Sequence, residues 1–237
     1  MQRYFVDISQ NDVIFSQDDI FHITKVMRMK TNEQIQLVDK QTHKTYLGIV
    51  KSLNPLKVDI QEPILEDVEL NKDVTIFFSL SKSDKMEFVI QKATELGAKR
   101  VVLVQTKRSI VKFTSDDFNR KKERYINIAK EAAEQCHRQN IPEIAFLGDI
   151  KQISNQLSDL NLFAYELEAG SATDLEKEIK NSKSISIIIG PEGGLDEKEA
   201  TYLKELKFVP ISLGKRILRC ETAAVYALSV ISYLLEK

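Results

Sequence analysis

Over the first seventy residues the apolar positions fall into short alternating runs. The runs at Tyr4–Ile8, Asp12–Phe15, Gln34–Val38, Thr45–Val50 and Leu56–Ile60 predict short, half-buried strands. A helical stretch from about Asp18 to Met27 interrupts them, with Ser16 or Asp18 as its cap. Residues Pro63 to Asp73 are acidic and show no strong period, which marks a linker. From Val74 the pattern becomes strand–helix alternation, and this implies a mainly parallel sheet. Strands are predicted at Val74–Leu80, Arg100–Val104, Ile144–Leu147, Leu162–Tyr165, Ser184–Ile189 and Val209–Leu213. Between them, Met86, Val89, Ile90, Ala93 and Leu96 recur at helical spacing, as do Tyr125, Ile128, Ala129, Ala132 and Cys136. The expected organisation is a small β-rich domain over residues 1–68 and an α/β domain over residues 73–237.

Two of these strands run into glycine-bearing loops. After Ser184–Ile189 comes Gly190-Pro191-Glu192-Gly193-Gly194, and after Val209–Leu213 comes Gly214-Lys215-Arg216-Ile217-Leu218-Arg219. Loops at the carboxyl ends of adjacent parallel strands are where open α/β sheets bind ligands, so this pair is the candidate site. Glycine lets a ligand lie against bare main chain, and Pro191 stiffens the first loop. Asp196 and Glu199 form a capping box that starts a helix through about Leu206. No Gly-Lys-Ser/Thr follows the glycines and no G-x-G-x-x-G is present, so the common phosphate cradles are absent. The second loop mixes three cations, suited to a polyanion, with Ile217 and Leu218, suited to a flat apolar ring. Alone, each loop also fits an ordinary strand-to-helix turn or a solvated basic loop with Thr222 as a helix cap.

Composition narrows the alternatives. The formal net charge of −1 does not announce a nucleic-acid binder, but the charge is unevenly spread. Residues 99–138 hold eleven Lys or Arg against five Asp or Glu, and residues 157–206 hold five against eleven. Such asymmetry suggests one face for a polyanion and another turned from it. Met1–Phe5 leads straight into a strand rather than an apolar leader, and the apolar run Ala223–Leu235 is too short to span a bilayer. Two cysteines in such a chain point to reduced thiols and a cytoplasmic location. His22, His43 and His137 show no metal-ligand spacing, so no metal is expected. The last helix is apolar nearly all round, which fits either a core position or a subunit interface.

At the two loops the chain closely resembles the RsmE-type family of the SPOUT superfamily. The likeness extends to His22–Arg28, to Gln91-Lys92-Ala93-Thr94-Glu95-Leu96-Gly97, to Lys107-Arg108-Ser109, and to Glu131-Ala132-Ala133-Glu134-Gln135-Cys136-His137-Arg138. Cys136 and Cys220 stand where Ser and Thr are expected, Asn32 replaces a turn glycine, and Lys107 replaces an acidic residue. The resemblance implies a SPOUT α/β trefoil-knot methyltransferase domain preceded by a small PUA-like β-barrel that binds RNA. It implies methylation of N3 of one uridine in 16S ribosomal RNA of the small subunit, S-adenosylmethionine as cofactor, and a homodimer formed through the knot region.

By that resemblance, the cofactor would be enclosed by Gly190, Pro191, Glu192, Gly193 and Gly194, by Leu213, Gly214, Arg216, Ile217, Leu218 and Thr222, and by a third wall of Leu167, Glu168 and Gly170. Arg219 is the first choice to stabilise the anion left when the uridine proton departs, with Arg3 second. Glu221 or Glu192 would accept that proton, although Glu221 equally suits the negative first turn of a helix. Arg3, Arg28, Lys107, Arg108 and Arg138 would contact RNA. A SPOUT enzyme acting on transfer RNA, or a non-catalytic assembly factor that binds RNA, remains as an alternative.

Overall fold

The computed structural model describes every residue of the chain except 11, 67 and 166–174. The chain forms two compact units. The first comprises Met1–Glu69 together with Ala133–Asn140, and the second comprises Leu70–Ala132 and Ile141–Lys237.

In the first unit, strands β1 (Arg3–Ser9), β2 (Asp12–Ile14), β3 (Gln34–Asp39), β4 (Thr45–Leu53) and β5 (Leu56–Ile64) make one mixed sheet in the order β2-β1-β3-β4-β5. Only β1 and β3 are parallel. The edge strands β2 and β5 touch, so the sheet curls into a half-barrel. Its inside is filled by Tyr4, Val6, Ile23, Ile35, Leu37 and Val50. The period-2 runs therefore place the core correctly. Strand β5 is longer than its apolar run, because Pro63, read as linker, pairs opposite Tyr46 at the sheet edge, where a missing N–H costs no ladder bond. The expected helix is split into α1 (Gln17–Phe21) and a π-helical turn, His22–Val26. Ser16 is the cap, in a reciprocal box with Asp19.

The second unit is a six-stranded parallel sheet ordered β11-β9-β10-β6-β7-β8. Its strands are β6 (Asp73–Ser79), β7 (Arg100–Val104), β8 (Glu143–Leu147), β9 (Leu160–Ala164), β10 (Ser184–Ile189) and β11 (Val209–Ile211). Alternate residues of each strand serve opposite faces. Ile76, Phe78, Val101, Leu103, Ile187 and Ile189 pack with α2 (Ser83–Glu95), α3 (Ser115–Gln135), α4 (Leu175–Asn181) and α6 (Cys220–Glu236). Phe77, Val102, Val104 and Ile188 meet α5 (Glu197–Glu205) and a 3₁₀ turn, Ile150–Asn155, on the other face. Coverage on both faces explains why these strands read as continuous apolar runs.

One expectation needs correction. The strands bearing the two glycine loops are not neighbours, because β9 lies between β10 and β11. The two glycine loops thus flank the end of β9, the strand that precedes the expected third wall.

Candidate functional site

Beyond the carboxyl ends of β9, β10 and β11 lies an open cavity of about 650 Å³. Its walls are Gly190–Leu195, Ser212–Cys220, the strand-end residues Ala164, Tyr165 and Ile189, and three outlying side chains, Lys85, Arg108 and Ala223. Each loop takes its shape from its glycines. Gly190 is packed so closely that a Cβ there would stand 3.1 Å from the backbone nitrogen of Leu195. Gly214 has φ of +107°, a conformation L side chains rarely adopt. Gly194 N–H donates to the Pro191 carbonyl at 2.9 Å, closing the first loop on itself. Just beyond it, Asp196 caps α5 through the expected box with Glu199.

The second loop is held more loosely. Among the described residues, the main chain of Lys215–Ile217 makes no hydrogen bond, which leaves its donors and acceptors open to a ligand. The Ile217 side chain is 80% exposed. An apolar side chain so presented at a cavity mouth, beside unpaired main chain, suits the edge and face of a flat heterocycle.

Lys85 ties the first loop to the start of α6, and nothing in its local sequence announces this. It sits in the first turn of α2, and its Nζ lies 2.9 Å from Glu192 Oε1 and 3.2 Å from Glu221 Oε2. Glu192 belongs to the first loop and Glu221 to the first turn of α6. Burial pushes both carboxyls up, but hydrogen bonds from Lys85 and their own backbone amides outweigh it and hold both below the ordinary carboxylate range. Lys85 is held above the ordinary lysine value, chiefly by its hydrogen bond to Glu192. Both carboxylates are therefore ionised at neutral pH, and the trio carries a net negative charge. Of the three, Lys85 and Glu192 line the cavity and Glu221 does not, and the other charged residues of the lining, Arg108, Lys215, Arg216 and Arg219, are basic. Cys220, alongside, is a poor nucleophile: burial, then its hydrogen bond to Glu221, pushes its thiol up to about 11.

The other residues picked from sequence distribute unevenly. Arg219 is the N-cap residue of α6, has an exposed side chain at the cavity and makes no side-chain cap bond. Arg216 is exposed beside it, and Leu213 and Leu218 pack partly against the core. Thr222 neither caps α6, since Arg219 holds that position, nor lines the cavity. Arg108 reaches in from the turn after β7 and donates to the Gly193 carbonyl at 2.9 Å. Lys107 instead pairs with Asp196 at 2.9 Å. Leu167, Glu168 and Gly170 lie outside the described residues.

Arg3 and Arg138 are corrected by their surroundings. Both belong to the first unit, with side chains 0% and 4% exposed. Arg3 binds both oxygens of Glu66, Gln36 Oε1 and the carbonyls of His137 and Arg138. Arg138 pairs with Glu69 at 2.7 Å. A guanidinium so buried and so fully engaged braces the unit and does not face a ligand. Arg28 is exposed in the same unit, in a left-handed conformation with φ of 51°. Among the described residues, no group of three or more His, Cys, Asp or Glu could hold a metal ion, and no helix is long and apolar enough to cross a membrane.

A half-barrel unit, a parallel sheet in this order and a cavity between glycine loops at its strand ends are the frame of an α/β RNA methyltransferase with a PUA-like domain. The RNA methyltransferase domain family matches residues 68–232, and the RNA methyltransferase PUA domain family matches residues 15–62. The chain belongs to the ribosomal RNA small subunit methyltransferase E family. It is 36% identical to the member from Bacillus subtilis, over 100% of this chain and 98% of that one. Among solved structures, the Neisseria gonorrhoeae member bound to S-adenosyl methionine superposes with a TM-score of 0.88 at 26% identity, covering 99% of this chain and 98% of that one. A Legionella pneumophila protein in complex with the bound cofactor SAM gives 0.87 at 28%, covering 98% and 97%.

Proposed function

We propose that this protein transfers a methyl group from S-adenosylmethionine to N3 of a specific uridine in 16S ribosomal RNA. The observation that carries the reading is the cavity at three strand ends, where two glycine loops and a paired set of charges converge. Its residues fit the cofactor. Open main chain at Lys215–Ile217 and the exposed Ile217 suit the adenine, and Glu192 is the one acid of the described lining to sit beside a sulfonium. When bound, the cofactor supplies an electrophilic methyl carried on a sulfonium.

The protein's part is then positioning and charge. Arg219, exposed at the cavity, would stabilise the negative charge that develops on the uracil carbonyls as the N3 proton leaves. Glu221 or Glu192, ionised at neutral pH, would receive that proton. Arg108, tied to Gly193, and Lys107 would meet the RNA backbone near the loop, and Arg28 would do so from the PUA-like unit. The target base must leave its stack to reach a site of this depth.

A homodimer is part of the reading. On α6, Tyr226, Val230 and Tyr233 are exposed at a spacing of four and three, an apolar stripe suited to a second copy. A ribosomal RNA substrate supports a cytoplasmic location.

The test is transfer of labelled methyl to small subunits lacking their native modifications, with nucleoside analysis. A 3-methyluridine peak is expected. Cofactor binding without transfer to subunits or free ribosomal RNA would redirect the activity to another RNA, and no cofactor binding would leave only an RNA-binding role.

A further inference from the structure

A second cavity, of about 520 Å³, opens at the ends of β7 and β8 and shares none of its lining with the first. It gathers four lysines, Lys107, Lys112, Lys151 and Lys198, with the acids Asp149, Asp196 and Glu199. The raw tally is nearly even, but the partners are not. Asp149 caps the 3₁₀ turn by accepting from the Lys151 amide. Asp196 and Glu199 are joined in the capping box of α5, and both are also engaged by Lys107, one by its ammonium at 2.9 Å and the other by its backbone amide at 2.7 Å. Every acid is thus satisfied from within. Among the described residues, the ammonium groups of Lys112, Lys151 and Lys198 have no partner, and all three side chains are exposed. Four ammonium groups against three carboxylates give the lining a net charge of +1, and the three ammonium groups without a partner are exposed, as is one carboxylate, Asp149.

Its position makes it a continuation of the first cavity. The turn from Thr106 to Ser109 is rigid, with Thr106 and Ser109 buried and bonded to each other through their hydroxyls at 2.8 Å. Consecutive residues of that turn serve different cavities: Lys107 lines this one and Arg108 lines the cofactor cavity. An extended polyanion with one unit at the glycine loop would run directly on to the lysines.

We propose that this cavity is a subsite for the phosphodiester backbone of the RNA strand flanking the methylated nucleotide, gripped by Lys112, Lys151 and Lys198. The proposal rests on the functional reading above, and it adds a strand path to it. Three separate point charges around an open cavity, with no planar stacking partner beyond Tyr202, grip phosphates without reading sequence.

The test is a salt titration of binding to unmodified 16S ribosomal RNA, comparing wild type with Lys151→Ala/Lys198→Ala. On single-stranded RNA each lost phosphate contact lowers the slope of log affinity against log salt by about 0.7, so the pair should lower it by about 1.4. The KM for RNA should rise about tenfold at moderate salt, with the cofactor Kd unmoved. Lys151→Arg/Lys198→Arg should restore the slope. A slope unchanged in the alanine pair overturns the proposal. So does an equal weakening of cofactor binding, which would report misfolding of the α5 end rather than a lost contact. Wild type that binds the RNA but transfers no methyl would sink the functional reading while the slope comparison still decides this one.

Discussion

Removing the Lys85 ammonium tests how the first loop is tied to the start of α6. In Lys85→Met the stem remains, but Glu192 and Glu221 lose the cation at 2.9 and 3.2 Å. The three side chains are 19%, 28% and 18% exposed, which places these pairs between surface and buried extremes. Exposed pairs are worth under about 1 kcal/mol and breaking a buried one costs about 3–5, so about 2 kcal/mol is expected for both together. For a chain of this size that is a fall in Tm of about 4–8 °C at neutral pH. The pH dependence fixes the cause. Because both carboxyls are held below their ordinary values, the wild type's advantage is complete above about pH 5.5. It shrinks as pH falls through the depressed values, below the unperturbed 4.5 of a glutamate. The corresponding loss on the lysine side lies at alkaline pH, above its ordinary 10.5. Thermal unfolding of both proteins between pH 7.5 and 3.5 is the assay. A Tm difference under 1 °C at neutral pH, or one that does not narrow in acid, would refute the argument.

Arg219→Ala should keep cofactor affinity within about twofold while kcat falls about 100- to 1,000-fold, the usual loss for one donor aimed at developing charge; equilibrium dialysis and single-turnover transfer separate the two. Gly190→Ala should lower stability and cofactor affinity far more than Gly193→Ala, since the new Cβ would press on Leu195 backbone at 3.1 Å in one case and make ordinary contact with Arg108 at 3.5 Å in the other; matched thermal melts and cofactor titrations check the order. Arg3→Ala should destabilise by about 3 kcal/mol, because it strands Glu66 and two carbonyls in a buried setting, while turnover per folded molecule should stay near that of the wild type; denaturant unfolding with activity normalised to folded protein reads both.

The parts of the site legible in the sequence were those whose signal is local. Gly190–Gly194 and Gly214–Arg219 sit beside strands written in continuous β-branched residues, and the Asp196–Glu199 box announces its helix. Lys85 was invisible because its meaning depends on Glu192 and Glu221, more than a hundred residues away, and one lysine in a charged helix start resembles any other. Arg3 and Arg138 were misjudged for the complementary reason: a cation's sequence neighbours do not say whether a distant carboxylate already holds it. The placement of β9 between β10 and β11 was hidden too, since strand order in a parallel sheet is set by crossovers and leaves no trace in periodicity. The half-barrel was readable as strands but not as the split of its helix into a π turn.

The first unit is assembled from two stretches of chain, and this has a consequence during synthesis. Residue 3 donates to the carbonyl of residue 137 at 2.6 Å, and the helix end and loop of 133–140 belong to the same unit as the barrel. A nascent chain that has emerged only as far as the sixth strand therefore holds five strands and an unclosed end. The guanidinium of Arg3 must wait for its carbonyl partners until about sixty further residues have been translated, several seconds at about 5–20 residues per second. Until then the buried cation has only Gln36 and Glu66 to hold it. The barrel unit emerges ahead of the methyltransferase unit but cannot finish before it is partly made, and a fragment cut after residue 69 should behave as an incomplete barrel however long it is given to fold.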